Sequence, residues 1–133
     1  MSPSVEAWLQ KAEEDLRLAE VIPMDPLLTG GIAFHAQQCI EKSFKALLLA
    51  RTDACPRVHD LVRLSSLVTA AVPKWESDPG LLDELTVLYT DARYPGDFGL
   101  LPSGRPSVED ARRFRAGARS IFESTRRHLR PSG

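Results

Sequence analysis

Apolar residues recur every three or four positions along most of this chain, a spacing that predicts helices. The clearest stretch runs from Gly30 to Arg51, GGIAFHAQQCIEKSFKALLLAR. At about 100° per residue, Ile32, Ala33, Ala36, Cys39, Ile40, Ser43, Phe44, Leu47 and Leu48 fall on one broad arc, wide enough to touch more than one neighbouring helix. His35, Gln38, Glu41, Lys42 and Lys45 crowd into a narrow arc on the other side. The stretch reads as the spine of a small helical bundle, its polar stripe either solvated or facing a cleft.

The flanking segments carry the same period. Ser2 or Ser4 can cap a first helix with Pro3 in its opening turn. Val5, Trp8, Leu9, Ala12, Leu16 and Ala19 then form its inner side, with Glu6, Lys11, Glu13, Glu14, Asp15 and Arg17 largely on the remaining surface, and it ends near Ile22. Pro23, Pro26, Gly30 and Gly31 mark the connection to the spine. After a loop over 52–57, His59-Asp60-Leu61 opens a third helix with Asp60 as its cap, and Pro73 closes it. A fourth helix runs from Leu81 to about Asp91 and stops at Ala92-Arg93-Tyr94-Pro95-Gly96, because a residue before proline disfavours helical geometry. The last helix begins at Ser107, in a capping-box-like S-x-x-D with Asp110, and Val108, Ala111, Phe114, Ala118, Ile121, Phe122, Thr125 and Leu129 make its inner face. The tail, 131–133, is expected to fray. With no period-two run and no internal repeat, the prediction is an all-α antiparallel bundle of about five helices in one domain spanning 1–133.

Composition narrows the function classes. Length and a hydrophobic content of 43% suit one modest core. Seventeen basic residues against eighteen acidic ones give a net charge of −1, so any attraction to nucleic acid must be local. Two cysteines, Cys39 and Cys55, fit neither a disulfide framework nor a zinc pattern. No run approaches a membrane span and no basic-then-apolar leader opens the chain, so the expectation is a cytoplasmic protein without membrane contact. Phosphate loops, H-E-x-x-H and serine elbows are missing, and His35 has no second ligand one turn away; no metal or organic cofactor is expected.

Four motifs in order, WLQKAEEDL (8–16), FHAQQCIEKSFKALL (34–48), His59-Asp60-Leu61 and DARYP (91–95), resemble those of HEPN domains. With the final amphipathic helix the resemblance covers nearly the whole chain. It implies a helical bundle that usually dimerises and, in short prokaryotic members, stands beside a minimal nucleotidyltransferase. The family includes ribonucleases whose signature is an Arg and a His separated by four to six intervening residues. Here none of His35, His59 and His128 follows an Arg at that distance, so the chain departs from the catalytic signature and reads as a degenerate or non-catalytic member.

Candidate functional residues follow from that departure. Metal-free phosphodiester cleavage needs a base near neutral pKa and a cation for the developing charge. His59 could supply the first, and Arg93, Lys42 or Lys45 the second; the alternative for His59 is a capping partner at the helix start. Arg93, beside the Pro-Gly turn, suits bidentate phosphate contacts, with Tyr94 next to it. Gln38, Glu41, Lys42 and Lys45 are either a solvated stripe or part of a nucleotide pocket. Arg112, Arg115, Arg119, Arg126 and Arg130 line one side of the last helix as a basic strip, with Glu123 the only nearby acid. That strip is either a solvated face or a track for RNA backbone. The leading expectation is a dimeric nucleotide- or RNA-binding and interaction module, partner of a minimal nucleotidyltransferase in a toxin–antitoxin-type pair. The alternatives are an endoribonuclease toxin using His59 and Arg93, and a ligand-free assembly scaffold.

Overall fold

Five α-helices account for the regular structure of the described residues: α1 (Pro3–Val21), α2 (Thr29–Thr52), α3 (Leu61–Ala71), α4 (Pro79–Arg93) and α5 (Val108–Leu129). The structure, a computed structural model, describes residues 1–76, 78–93 and 105–130, with side chains throughout these except at 88–93. The expected buried side of α4 at Leu88 and Ala92, most of the α4–α5 connection and the 131–133 tail therefore lie outside the described residues.

Local chemistry sets most of the boundaries. The hydroxyl of Ser2 accepts the Val5 amide at 3.2 Å and that of Ser107 accepts the Asp110 amide at 3.0 Å. Asp60 Oδ1 accepts the amides of Val62 and Arg63, satisfying donors that a helix start leaves unpaired. α4 begins two residues earlier than the apolar pattern suggests, because Pro79 suits a first helical position and the Asp78 carboxylate takes the Leu81 amide at 3.2 Å. α2 ends at Asp53, whose φ of 58° is left-handed and closes a bond from its amide to the Leu49 carbonyl.

α2 is the central element, as its broad apolar arc requires. Ala36, Cys39, Ile40, Phe44 and Leu47 are fully buried and meet Ala12 and Leu16 of α1, Leu61, Leu64 and Val68 of α3, Leu82 and Leu85 of α4, and Phe114 and Ala118 of α5 in one core. Cross-links fix the directions. Asp15 reaches His35 and Lys42, while Trp8 lies over Lys45, so α1 and α2 are antiparallel. Cys39 contacts the Ala118 carbonyl and Arg51 donates to that of His128, so α2 and α5 run parallel. Gly117 of α5 lies so near α4 that a Cβ there would fall 2.4 Å from Leu81 Cδ2, which explains a glycine inside a helix. His59, before α3, meets Glu41, and Trp75, after α3, packs edge-on to Phe44 at 6.1 Å; α3 thus lies across α2 rather than along it.

Candidate functional site

The polar arc of α2 is an internal seam. Glu41 and Lys45, one turn apart, each keep only 7% of their side-chain surface exposed, and Lys45 Nζ donates to Glu41 Oε2 at 3.0 Å. A solvated stripe is thereby ruled out for these two. Burying the pair is tolerable because each charge is met: Glu41 Oε1 accepts from Gln37 Nε2 at 3.2 Å, and Lys45 also lies 5.5 Å from the centroid of the Trp8 ring. Gln38 extends the chain by donating to Gln37 Oε1 at 2.7 Å.

His59 completes this cluster from the segment preceding α3. Its Nδ1 lies 2.9 Å from the same Glu41 Oε2, although 62% of the His59 side chain is exposed. An ionised carboxylate only accepts, so Nδ1 carries the proton and the neutral ring has an unprotonated Nε2. The result is an oriented imidazole at the surface, fixed from below by a buried carboxylate. The capping role that sequence left open for His59 falls to Asp60 instead.

A second carboxylate–imidazole–ammonium cluster lies on the other edge of α2. Asp15, expected in a surface acidic run, is buried at 7% exposure because it faces α2. Its Oδ1 lies 2.9 Å from His35 Nδ1, and its Oδ2 accepts from Lys42 Nζ at 2.5 Å. Lys42 and Lys45 thus serve different carboxylates. No group of three or more metal-ligating side chains occurs among the described residues.

Of the remaining candidates, α4 runs to Arg93, and its Thr86 hydroxyl accepts the Leu61 amide at 3.2 Å, tying α4 to the start of α3 beside His59. The Arg93 side chain and Tyr94 lie outside the described residues. The basic strip of α5 is partly neutralised within the chain. Both Arg119 Nε and its Nη2 donate to Glu20 of α1, and Nη1 donates to Glu123 at 2.7 Å. Glu123 is therefore not the only acid near the strip. These hydrogen bonds hold the Glu20 carboxyl below its usual value of 4.5. Arg126 lies over Phe122 at 5.8 Å, in a groove of about 310 Å³ whose α1 wall carries Glu6 and Glu13. Arg112, Arg115 and Arg130 make no ion pair among the described residues.

Sequence reasoning placed Glu41, Lys45 and His59 in one site, and the structure brings them together. It missed Gln37, Asp15, Glu20 and Trp8. Trp8 stood in the apolar repeat of α1, and nothing in that repeat tells an aromatic packed on carbon from one packed on an ammonium group. Asp15 carried a usable signal: at helical spacing it falls beside Ala12, Leu16 and Ala19 on the buried side.

No described helix is long and apolar enough to cross a membrane. No curated protein and no solved structure matches the chain significantly. The family model of the HEPN domain matches residues 5–128. With five helices in the expected order and nearly every position covered, the chain belongs to the HEPN domain family.

Proposed function

We propose that this protein is a nucleotide- or RNA-binding HEPN module acting as a homodimer and as the partner of a minimal nucleotidyltransferase in a toxin–antitoxin-type pair. The observation that carries the binding reading is His59, exposed at its outer edge and held by the buried Glu41 at 2.9 Å. An imidazole so fixed presents one nitrogen to a ligand with little orientational entropy left to lose. Support for assembly comes from apolar side chains left in solvent where α1 ends and α2 begins: Val21 is 73% exposed, Leu27 67% and Leu28 42%.

The test is fluorescence anisotropy of a labelled single-stranded RNA with wild type and His59→Ala, beside light scattering of the free protein. Binding weakened by at least fivefold in the variant, from a dimeric wild type, is expected. Equal binding by both proteins removes His59 from the site, and a monomer at micromolar concentration removes the dimer.

The same geometry favours one second reading, a metal-independent endoribonuclease. His59 Nε2 would take the proton of a ribose 2′-hydroxyl as that oxygen attacks the adjacent phosphorus and a cyclic phosphate forms, the 5′-oxygen leaving as a hydroxyl with a proton taken from water, with Arg93 as the cation. Cleavage of RNA in EDTA by wild type but not by His59→Ala or Arg93→Ala is its expected signature, and RNA left intact by wild type refutes it.

A further inference from the structure

We infer that Phe34 and Gln38 form a base-binding subsite beside His59, taking a nucleobase that carries an exocyclic amine. The inference rests on the nucleotide- or RNA-binding reading above and names the part of the ligand that the open end of the seam takes. At about 100° per residue, Phe34, Gln38, Glu41 and Lys45 fall within an arc of about 60° on α2. Exposure rises along that stripe: Lys45 and Glu41 are buried, Gln38 is half-buried and Phe34 is 45% exposed. The seam therefore opens to solvent toward the start of α2, on the same stripe to which Glu41 anchors His59.

Glu41 sets the direction of the hydrogen bonds along the stripe. An ionised carboxylate only accepts, so Gln37 turns its Nε2 toward Glu41 Oε1, at 3.2 Å, and its own Oε1 accepts from Gln38 Nε2 at 2.7 Å. Gln38 Oε1 is then the outer end of the relay, and it is an acceptor. The buried side-chain atoms without a partner among the described residues are Ser43 Oγ and Trp75 Nε1, so Gln38 Oε1 is open to solvent. His59 Nε2, at the other end of the relay, is an acceptor too. Both ends therefore call for N–H or O–H donors on the ligand, and an exocyclic amine is such a donor on the edge of a base.

Phe34 supplies the platform next to that acceptor. Residues four apart are neighbours on a helix surface, and a side chain leans over the turn preceding its own Cα, which brings Gln38 toward the Phe34 ring. That ring stands at 77° to the His35 imidazole with centroids 5.2 Å apart, and His35 Nδ1 lies 2.9 Å from Asp15 Oδ1. A platform held in this way is largely ordered before ligand arrives, which lowers the cost of stacking on it. Phe34 lies two turns, about 10 Å, along α2 from Glu41, so a base on Phe34 and a ribose or phosphate at His59 belong to one short stretch of strand. Stacking tolerates any base, whereas the amine bond to Gln38 Oε1 favours adenine, guanine or cytosine over uracil.

The experiment titrates the full chain with two RNA hexamers whose 5′ dye reports anisotropy: A6, and the same hexamer built from purine riboside, which keeps the ring system and lacks the 6-amine. Wild type should bind A6 about fivefold tighter than the purine-riboside hexamer. Gln38→Met, close in shape but without the amide, should bind the two alike. Phe34→Leu, which stays apolar but offers no π face, should lose about fivefold or more on both and keep their ratio, with a melting curve and light scattering showing that fold and mass persist. Should Gln38→Met fail to fold, the wild-type ratio alone decides, and equal binding of the two hexamers overturns the amine contact. A Phe34→Leu protein that loses RNA only as its mass falls assigns the ring to assembly and overturns the platform. Hexamers that bind wild type and both variants equally overturn the subsite while leaving nucleotide binding in place. Hexamers that do not bind at all overturn both.

Discussion

Glu41 Oε2 accepts hydrogen bonds from both Lys45 Nζ, at 3.0 Å, and His59 Nδ1, at 2.9 Å. One buried oxygen thus joins an internal ion pair to an exposed ring, and stability and site geometry depend on the same atom. Glu41→Gln removes the negative charge and leaves the Lys45 ammonium buried without a counterion. We expect a loss of about 3–5 kcal/mol, the range seen when one member of a buried pair is removed, and release of the His59 ring. Urea denaturation checks the first and the nitrogen chemical shifts of His59, which report its tautomer, the second. A cost under ~1 kcal/mol would show that Lys45 reaches water by a small movement. The double change Glu41→Leu with Lys45→Met should recover much of the loss, because it removes both charges together.

The Glu20 carboxyl is held below its ordinary 4.5, chiefly by hydrogen bonds from the Arg119 guanidinium. A depressed folded value contributes stability that is complete above the unfolded value and disappears as pH falls through the folded one. Wild type should therefore lose more stability than Arg119→Ala as the solution is acidified from about pH 5 downward. At neutral pH the variant should be weaker by less than ~1 kcal/mol, since 49% of the Arg119 side chain and 30% of Glu20 are exposed. Parallel acid-side curves for the two proteins would contradict the pairing.

Phe44 is fully buried and touches both the central core and the edge of Trp75. Phe44→Ala should cost about 3–5 kcal/mol through lost transfer energy and the cavity left behind. Trp75 emission should shift to the red in the still-folded variant as its neighbour disappears, a change that thermal melting alone would not show.

At the end of α2, Asp53 holds a left-handed φ of 58°. Glycine adopts this geometry without a Cβ conflict. Asp53→Gly is expected to raise stability by a few tenths to about 1 kcal/mol, offset by the extra freedom glycine has in the unfolded chain. A lower denaturation midpoint would mean that the Asp53 side chain contributes more than its backbone costs.

These outcomes separate what a linear reading could reach from what it could not. Helix starts at Asp60 and Ser107 were readable, and that of α1 as Ser2 or Ser4, because capping joins residues two or three positions apart. The core of α2 was readable because burial on a broad arc leaves a periodic trace. Pairings across helices leave none. Nothing within α5 announces that Arg119 faces Glu20, or within α1 that Asp15 faces both His35 and Lys42, since each depends on how two helices are rotated about their own axes. The polar seam was therefore visible as a set of residues but not as two separate clusters.

The burial of Cys39 also decides how this protein can be observed in solution. Desolvation pushes its thiol up to about 12, so at neutral pH it offers almost no thiolate to an alkylating reagent. Cys55, in the segment between α2 and α3, is only partly buried. A maleimide dye will therefore mark a single position without any engineered substitution, four residues before the imidazole that the proposed ligand would meet. The chain carries its own optical probe beside the site under test.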